Sequence, residues 1–307
     1  MEQTQWADRG QLLQADAPET AGQTKCVAVS RLGSAQLSGA AFSIWVQLRG
    51  TSWVEAKEGK FRLRRGDWIA LEKDSKPLLQ ADRHGVCIGL TLSADALRSI
   101  ARFADCTLFA GRGRIARAEA AVTLRLWREA ASRLAAQEPG GTFDAAPLRP
   151  ILLQLAGIQR ELTAGIARCP GRSRGRKRQV FGRLQRAHMY LQGNCDRVVR
   201  IGELAELTSF SSWYFSKTFH ALYDESPQAA AARMRLERAA ELLAGTTMMI
   251  GEVAAASGFD NCCSFARAFR ARFGQSASHY RAAARAAAAV PSPTDSANPS
   301  DAPRKAA

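Results

Sequence analysis

The phrase IGELAELTSFS at residues 201–211 returns in closely similar form as IGEVAAASGFD at residues 250–260, with Ile, Gly, Glu, Ala and Phe in the same places. A segment stated twice in one chain is a structural unit used twice, so the fold has to accommodate two copies of it. In each copy Ile201, Leu204 and Ala205, then Ile250, Val253 and Ala254, follow helical spacing, with the small alanines where another helix would press close. After a short turn comes a second helical stretch with an aromatic at every fourth residue: Phe215, Phe219 and Tyr223 in the first copy, Phe265, Phe269 and Phe273 in the second. That spacing sets each triplet on one face for burial. Helix, tight turn and helix with a small residue at the crossing is the helix-turn-helix pattern, whose second helix enters the major groove of DNA.

Between the copies, PQAAAARMRLERAAELLAG (residues 227–245) opens on Pro, closes on Gly and carries Met234, Leu236, Ala239, Leu242 and Leu243 at helical intervals. Such a helix spans about 27 Å at about 1.5 Å per residue, comparable with the ~34 Å turn of DNA. It is long enough to set two recognition helices in successive major grooves. Charge points the same way. Residues 171–285 hold 18 basic against 9 acidic residues, whereas residues 1–170 hold 23 against 17, within a formal net charge of +15. The C-terminal part is the denser cation and is dominated by arginine, whose planar fork pairs with phosphate or a guanine edge.

Three changes in composition divide the chain. RCPGRSRGRKR, residues 168–178, has no apolar periodicity and reads as an exposed linker. From residue 286 the chain is rich in Ala, Pro and Ser with little to bury, so residues 286–307 are expected to be a disordered tail. Near Ser93 strand-like alternation gives way to helical periodicity. Residues 1–167 are thus expected to form one domain, with a β part over about 20–92 and a helical part over about 93–167, and residues 179–285 a second. FSIWVQL (42–48), FRLRRGDWIAL (61–71), CVAVS (26–30) and VCIGLTL (86–92), with turns at Gly50, Gly59 and Gly66, suggest short antiparallel strands in a small barrel or sandwich. The helical part contains two long amphipathic helices that pack on the strands, form part of a dimer interface, or do both.

Other chemistries lack their signatures. The first 187 residues contain a single histidine, His84, so a metal-holding barrel has no ligand set. The seven cysteines form no Cys-x-x-Cys pair, and no Ser, Cys or carboxylate set reads as catalytic. No metal and no cofactor is expected, and an enzyme on the barrel is the weaker alternative. A polar, acidic N-terminus and the lack of a membrane-length apolar run lead to the expectation of a cytoplasmic protein with no membrane partner.

Taken together, IGELAELTSFSSWYFSKTFHALYDESP, RMRLERAAELL and IGEVAAASGFDNCCSFARAFRARFGQSASHYR resemble the DNA-binding domain of AraC/XylS-type transcriptional regulators. The resemblance covers about a third of the chain, with Gly258-Phe259, Gly274, Ser276 and Tyr280-Arg281 in register. Ser209, Asp224 and Ala277 depart from it, standing where the family usually has Gly, Gly and Pro. It implies an α+β chain: a small cupin-like N-terminal β-barrel with a helical pair for effector sensing and dimerisation, then an all-α domain of two helix-turn-helix motifs joined by a linker helix. It also implies double-stranded promoter DNA and RNA polymerase as partners, a small-molecule effector, a homodimer and activation of transcription. Carried over position by position, the base-contacting residues are Trp213, Ser216 and Lys217, then Cys262, Cys263, Ala266 and Arg267. Arg270 is assigned to phosphate. Trp45, Gln47, Trp53 and Trp68 are the candidates for an effector pocket. A nonspecific nucleoid-type DNA-binding protein is the other alternative.

Overall fold

The computed structural model describes residues 4–14, 24–38, 42–104, 107–136 and 146–289. Among them the strands are β1 (Thr4–Ala7), β2 (Leu12–Gln14), β3 (Lys25–Ser30), β4 (Ser34–Gln36), β5 (Phe42–Arg49), β6 (Thr51–Ala56), β7 (Gly59–Arg64), β8 (Asp67–Glu72), β9 (Leu78–Ala81), β10 (Val86–Leu92) and β11 (Gly111–Arg114). Helices α1 (Ala94–Ala104), α2 (Arg117–Ala135), α3 (Arg149–Ile158) and α4 (Arg160–Thr163) follow the strands or sit among them. Seven more follow among the described residues: α5 (Arg174–Gly193), α6 (Ile201–Thr208), α7 (Ser212–Tyr223), α8 (Pro227–Gly245), α9 (Ile250–Ala256), α10 (Cys262–Phe273) and α11 (Ala277–Ala289). No described helix is long and apolar enough to cross a membrane.

The strands form two open sheets, in the orders β1-β3-β10-β5-β8-β11 and β2-β4-β9-β6-β7, rather than one closed ring. The sandwich is therefore the arrangement found, not the closed barrel. Two pairs, β1 with β3 and β2 with β4, are parallel, where only antiparallel pairing was expected. β1 and β2 precede residue 20, and β11 falls within the stretch expected to be helical. At three or four residues each they are too short for alternation to reveal, and the GRGR sequence of β11 has none.

β5 explains how three layers stack. Phe42, Ile44 and Val46 face one core, shared with Trp127, Leu134, Ile151 and Leu155 of α2 and α3. Trp45 faces the other, shared with Val54, Phe61, Leu63 and Leu79 of the second sheet. The expected alternation is present, but both faces are buried: Ser43 and Gln47 are as enclosed as their apolar neighbours. Gly89, opposite Trp45 in β10, lies between two indoles. A Cβ there would come within 2.3 Å of the Trp45 ring, while the Trp127 Nε1–H donates to the Gly89 carbonyl at 2.7 Å. α2 is thus fastened to the sheet at the strand whose missing side chain admits Trp45.

The chain divides into two compact units, residues 1–194 with 198–231, and residues 195–197 with 232–307. This differs from a boundary at residues 168–178. Arg168 ends a 3-10 turn and Arg174 already begins α5, which buries Val180, Phe181, Leu184, Ala187 and Met189. The basic, glycine-containing run conceals the helix start because its residues are exposed, yet Ser173 caps it by accepting from the Arg176 N–H at 3.2 Å. α5 places Met189 in the core between the sheets. It also pairs Arg186 with Glu72, and Asn194 Nδ2 donates to the Glu58 carbonyl at 2.8 Å. Of the expected tail, residues 286–289 continue α11, and residues 290–307 lie outside the described residues.

The end of α5 meets the turn between β6 and β7 backbone to backbone. A Cβ on Gly193 would stand 2.3 Å from the Glu58 carbonyl oxygen and 2.8 Å from Phe61 Cζ. Backbone yields little, so Gly193→Ala is expected to destabilise the first unit by about 1–3 kcal/mol. A lowered urea midpoint in the full chain, followed by circular dichroism, is the measurement.

Candidate nucleic-acid interface

Each copy of the repeat folds as a helix-turn-helix. In the first, α6 opens with the Glu203 carboxylate accepting from the Arg200 N–H at 3.1 Å, and in the second α9 opens with Glu252 accepting from the Met249 N–H at 2.7 Å. These glutamates satisfy donors that the first helical turn leaves open. The second helices are capped by side chains: Ser211 Oγ accepts from the Tyr214 N–H at 3.3 Å, and Asn261 Oδ1 from the Ser264 N–H at 2.7 Å. Leu204, Ala205, Val253 and Ala254 are buried at the crossings. Phe215, Phe219, Phe265 and Phe269 are fully buried, whereas Tyr223 and Phe273, the third aromatic of each row, are only half-buried. α8 runs over residues 227–245, the bounds that its proline and glycine mark in the sequence.

The aromatic rows leave opposite faces of α7 and α10 outward. On α7, Trp213 and Lys217 are exposed and Ser216 is half-buried. Trp213 is 71% exposed, so it does not pack against a neighbouring helix, and Lys217 Nζ lies 5.0 Å from its ring centroid. The pair is a cation on an aromatic face, one helical turn apart. On α10, Cys262, Cys263, Ala266, Arg267 and Arg270 are all exposed. Neither α7 nor α10 contains an acidic residue. Each outward face therefore offers donors and positive charge with no carboxylate to repel phosphate.

α7 is held from behind by α5. The Tyr223 hydroxyl donates to Gln185 Oε1 at 2.7 Å, and its ring stacks on His188 with centroids 4.5 Å apart. Burial pushes the Tyr223 phenol well above the ordinary tyrosine range, which keeps it a donor. Arg183 donates to the Thr208 carbonyl at 3.3 Å and lies 5.3 Å from the Phe210 ring, bracing the first turn. In the second copy Arg235 donates to the Gly258 carbonyl at 2.9 Å and lies 4.9 Å from the Phe259 ring. The same device, an arginine on the turn's carbonyl and aromatic, serves both copies from different helices.

The four residues expected around an effector do not come together. Trp45 is enclosed between the sheets, Trp68 lies on the opposite face in the core with α2 and α3, and Trp53 is 42% exposed beside Arg62. Period two along each strand separates Trp45 from the residues that register with Trp68. Gln47 alone lines a cavity, of about 830 Å³, at one end of the six-stranded sheet. Its floor is apolar, with Leu48, Ile88, Leu124 and Trp127, and its mouth carries arginines at strand ends and turns, with Arg117 at the start of α2 and Arg128 further along it. The sequence signal for them is arginine beside turn glycine, in Arg49-Gly50, Arg65-Gly66 and Arg83-His84-Gly85. Among the described residues no group of three or more His, Cys, Asp and Glu is placed to hold a metal ion. Burial pushes the Cys26 thiol up to about 12 and Cys169 to about 11, which leaves both as neutral thiols.

Residues 204–283 match a family described as a helix-turn-helix domain. The HTH-type transcriptional regulator CdhR of Pseudomonas aeruginosa is 30% identical over 156 residues, which cover 47% of this chain and 46% of that relative. The chain thus spans about half the length of the curated relative it matches. Among solved structures, a probable AraC family transcriptional regulator from Rhodopseudomonas palustris is 33% identical, covering 33% of this chain and 96% of its own, with a TM-score of 0.31. The DNA-binding domain of the global transcriptional factor AdpA, solved with a target DNA, is 26% identical, covering 34% and 94%, with a TM-score of 0.33.

The two copies differ in how their turns reverse the chain. Ser209 sits at φ 53° and Asp224 at φ 59°, while the corresponding positions of the second copy are Gly258 at φ 71° and Gly274 at φ 72°. A side chain in the left-handed region costs about 1–2 kcal/mol that glycine does not. Ser209→Gly is expected to stabilise the first unit by about 1 kcal/mol. Gly258→Ser carries the opposite sign, because its Cβ would also meet the Arg197 N at 3.0 Å. Urea midpoints of the two variants, moving in opposite directions, are the check.

Proposed function

With an AraC/XylS-type helix-turn-helix domain in its C-terminal part as the premise, we propose that this chain is a sequence-specific, DNA-binding regulator of transcription, an effector-responsive activator that reads two successive major grooves. The observation that carries the reading is the pair of acid-free outward faces on α7 and α10, each backed by a buried aromatic row. Trp213, Ser216 and Lys217 contact bases in one groove. Cys262, Cys263, Ala266 and Arg267 contact bases in the other, with Arg267 forking onto a guanine edge. Arg270 takes a phosphate and fixes register without reading sequence.

The N-terminal sheets and helices serve as the sensor, and α5 is the lever. It packs on the sheet core through Met189 and on α7 through Gln185 and His188, so a ligand that shifts the sheets shifts the first reader. The partners are promoter DNA, RNA polymerase and a second copy of the chain, and the setting is the cytoplasm. The cupin-like character of the sensor is part of the same reading.

Selection from random duplex DNA at near-physiological salt tests it. Two short motifs about one helical turn apart are expected to be enriched. Arg267→Ala should blur one position of one motif at a cost of about 1–3 kcal/mol, and Arg270→Ala should weaken every sequence alike. A pool that stays unenriched while affinity falls steeply with salt would replace this reading with nonspecific binding.

A further inference from the structure

We propose that the cavity at the end of the six-stranded sheet is a binding site for a small organic anion with an apolar body: a carboxylate, a sulfonate or a phosphate monoester on a hydrophobic frame. The proposal rests on the effector-responsive reading only for what the ligand does, not for its binding. At about 830 Å³ the cavity has the volume of a small-molecule site, which usually falls in the range of roughly 300–1,000 Å³. It lies on the helix side of the sheet, at the end where Arg31, Arg49, the turn at Gly66 and the Arg83-His84 turn converge beneath the start of α2.

The lining separates into two chemistries. Leu48, Ile88, Ile115, Leu124 and Trp127 form the floor, and the Trp127 N–H is already committed to the Gly89 carbonyl. Among the described residues no acidic side chain lines the cavity. Two of the arginines at the mouth are neutralised from outside it: Arg31 is paired with Asp8, and Arg114 with Asp67 at 3.2 Å. Arg49, Arg65, Arg83, Arg117 and Arg128 make no ion pair among the described residues. Several exposed guanidiniums gathered around one concave mouth raise a positive potential over it. An anionic group entering there takes paired N–H donors, and its charge relieves the mutual repulsion of the arginines.

The ligand class is therefore an amphipathic anion. A duplex backbone supplies the charge but nothing apolar for the floor, and a neutral sugar supplies donors but no charge for the mouth.

The test uses two fluorescent probes with the same aromatic body: anilinonaphthalene sulfonate, which is anionic, and phenylnaphthylamine, which is neutral. Each is titrated into the full chain at near-physiological salt, following energy transfer from tryptophan. The sulfonate is expected to bind at least ten-fold more tightly. Arg65→Glu combined with Arg117→Glu should abolish that preference while leaving the neutral probe's affinity within two-fold. Arg83→Gln combined with Arg128→Gln should reduce it without adding acid, which guards against a variant that misfolds. Equal affinity for the two probes, or a sulfonate affinity indifferent to both double variants, overturns the proposal. Random-DNA selection on the unaltered chain separates the two readings: enriched motifs with no probe preference remove the anion site alone, and probe preference with no motif removes the regulator reading alone.

Discussion

The first helix-turn-helix depends on α5 more than on its own two helices. α6 and α7 together are too short to hold a core by themselves, and the surface they bury is completed by Gln185, His188 and Arg183 from the preceding helix. The same helix ends against the hairpin of β6 and β7 at a contact of two glycine backbones, Gly59 and Gly193, and sinks Met189 between the sheets. One rigid rod thus belongs to two cores at once. Removing it would leave the sandwich with a hole and the helix-turn-helix without a back wall.

The second copy is built differently although it repeats the same words. Its aromatic row packs on Leu236, Ala239 and Leu243 of α8 and on Tyr280 of α11, whose ring lies 5.5 Å from Phe269. Its turns use glycine where the first copy forces Ser209 and Asp224 into the left-handed region. Asp224 is partly compensated by its pairing with Arg168, a residue outside the repeat. The unit division within α8 follows from these separate cores.

Much of this was legible in the chain because it is local. The bounds of α8 follow from Pro227 and Gly245, and the faces of α7 and α10 follow from aromatics at every fourth residue. The double burial of β5 was not legible, because alternation alone does not show that helices cover one face and a second sheet the other, enclosing Ser43 and Gln47. The cavity was hidden for a related reason. Arginines at 49, 65, 83, 117 and 128 belong to separate turns and one helix, and only the order of strands in the sheet brings those ends together. Trp45, Trp53 and Trp68 looked like pocket residues because they are large and close in sequence, yet strand alternation sends them to three different places.

The two copies also differ in the spacing of their helices. Three residues separate α6 from α7, but five separate α9 from α10, so the copies align with an offset of 49 before the turn and 50 after it. In that alignment Trp213 corresponds to Cys263, Ser216 to Ala266 and Lys217 to Arg267. The duplicated scaffold therefore presents unlike chemistry at like positions. On the proposed reading, a site contacted by both copies of one chain has no dyad, and the protein lies along it in a single direction. The strand on which such a site is written then sets which way the protein faces.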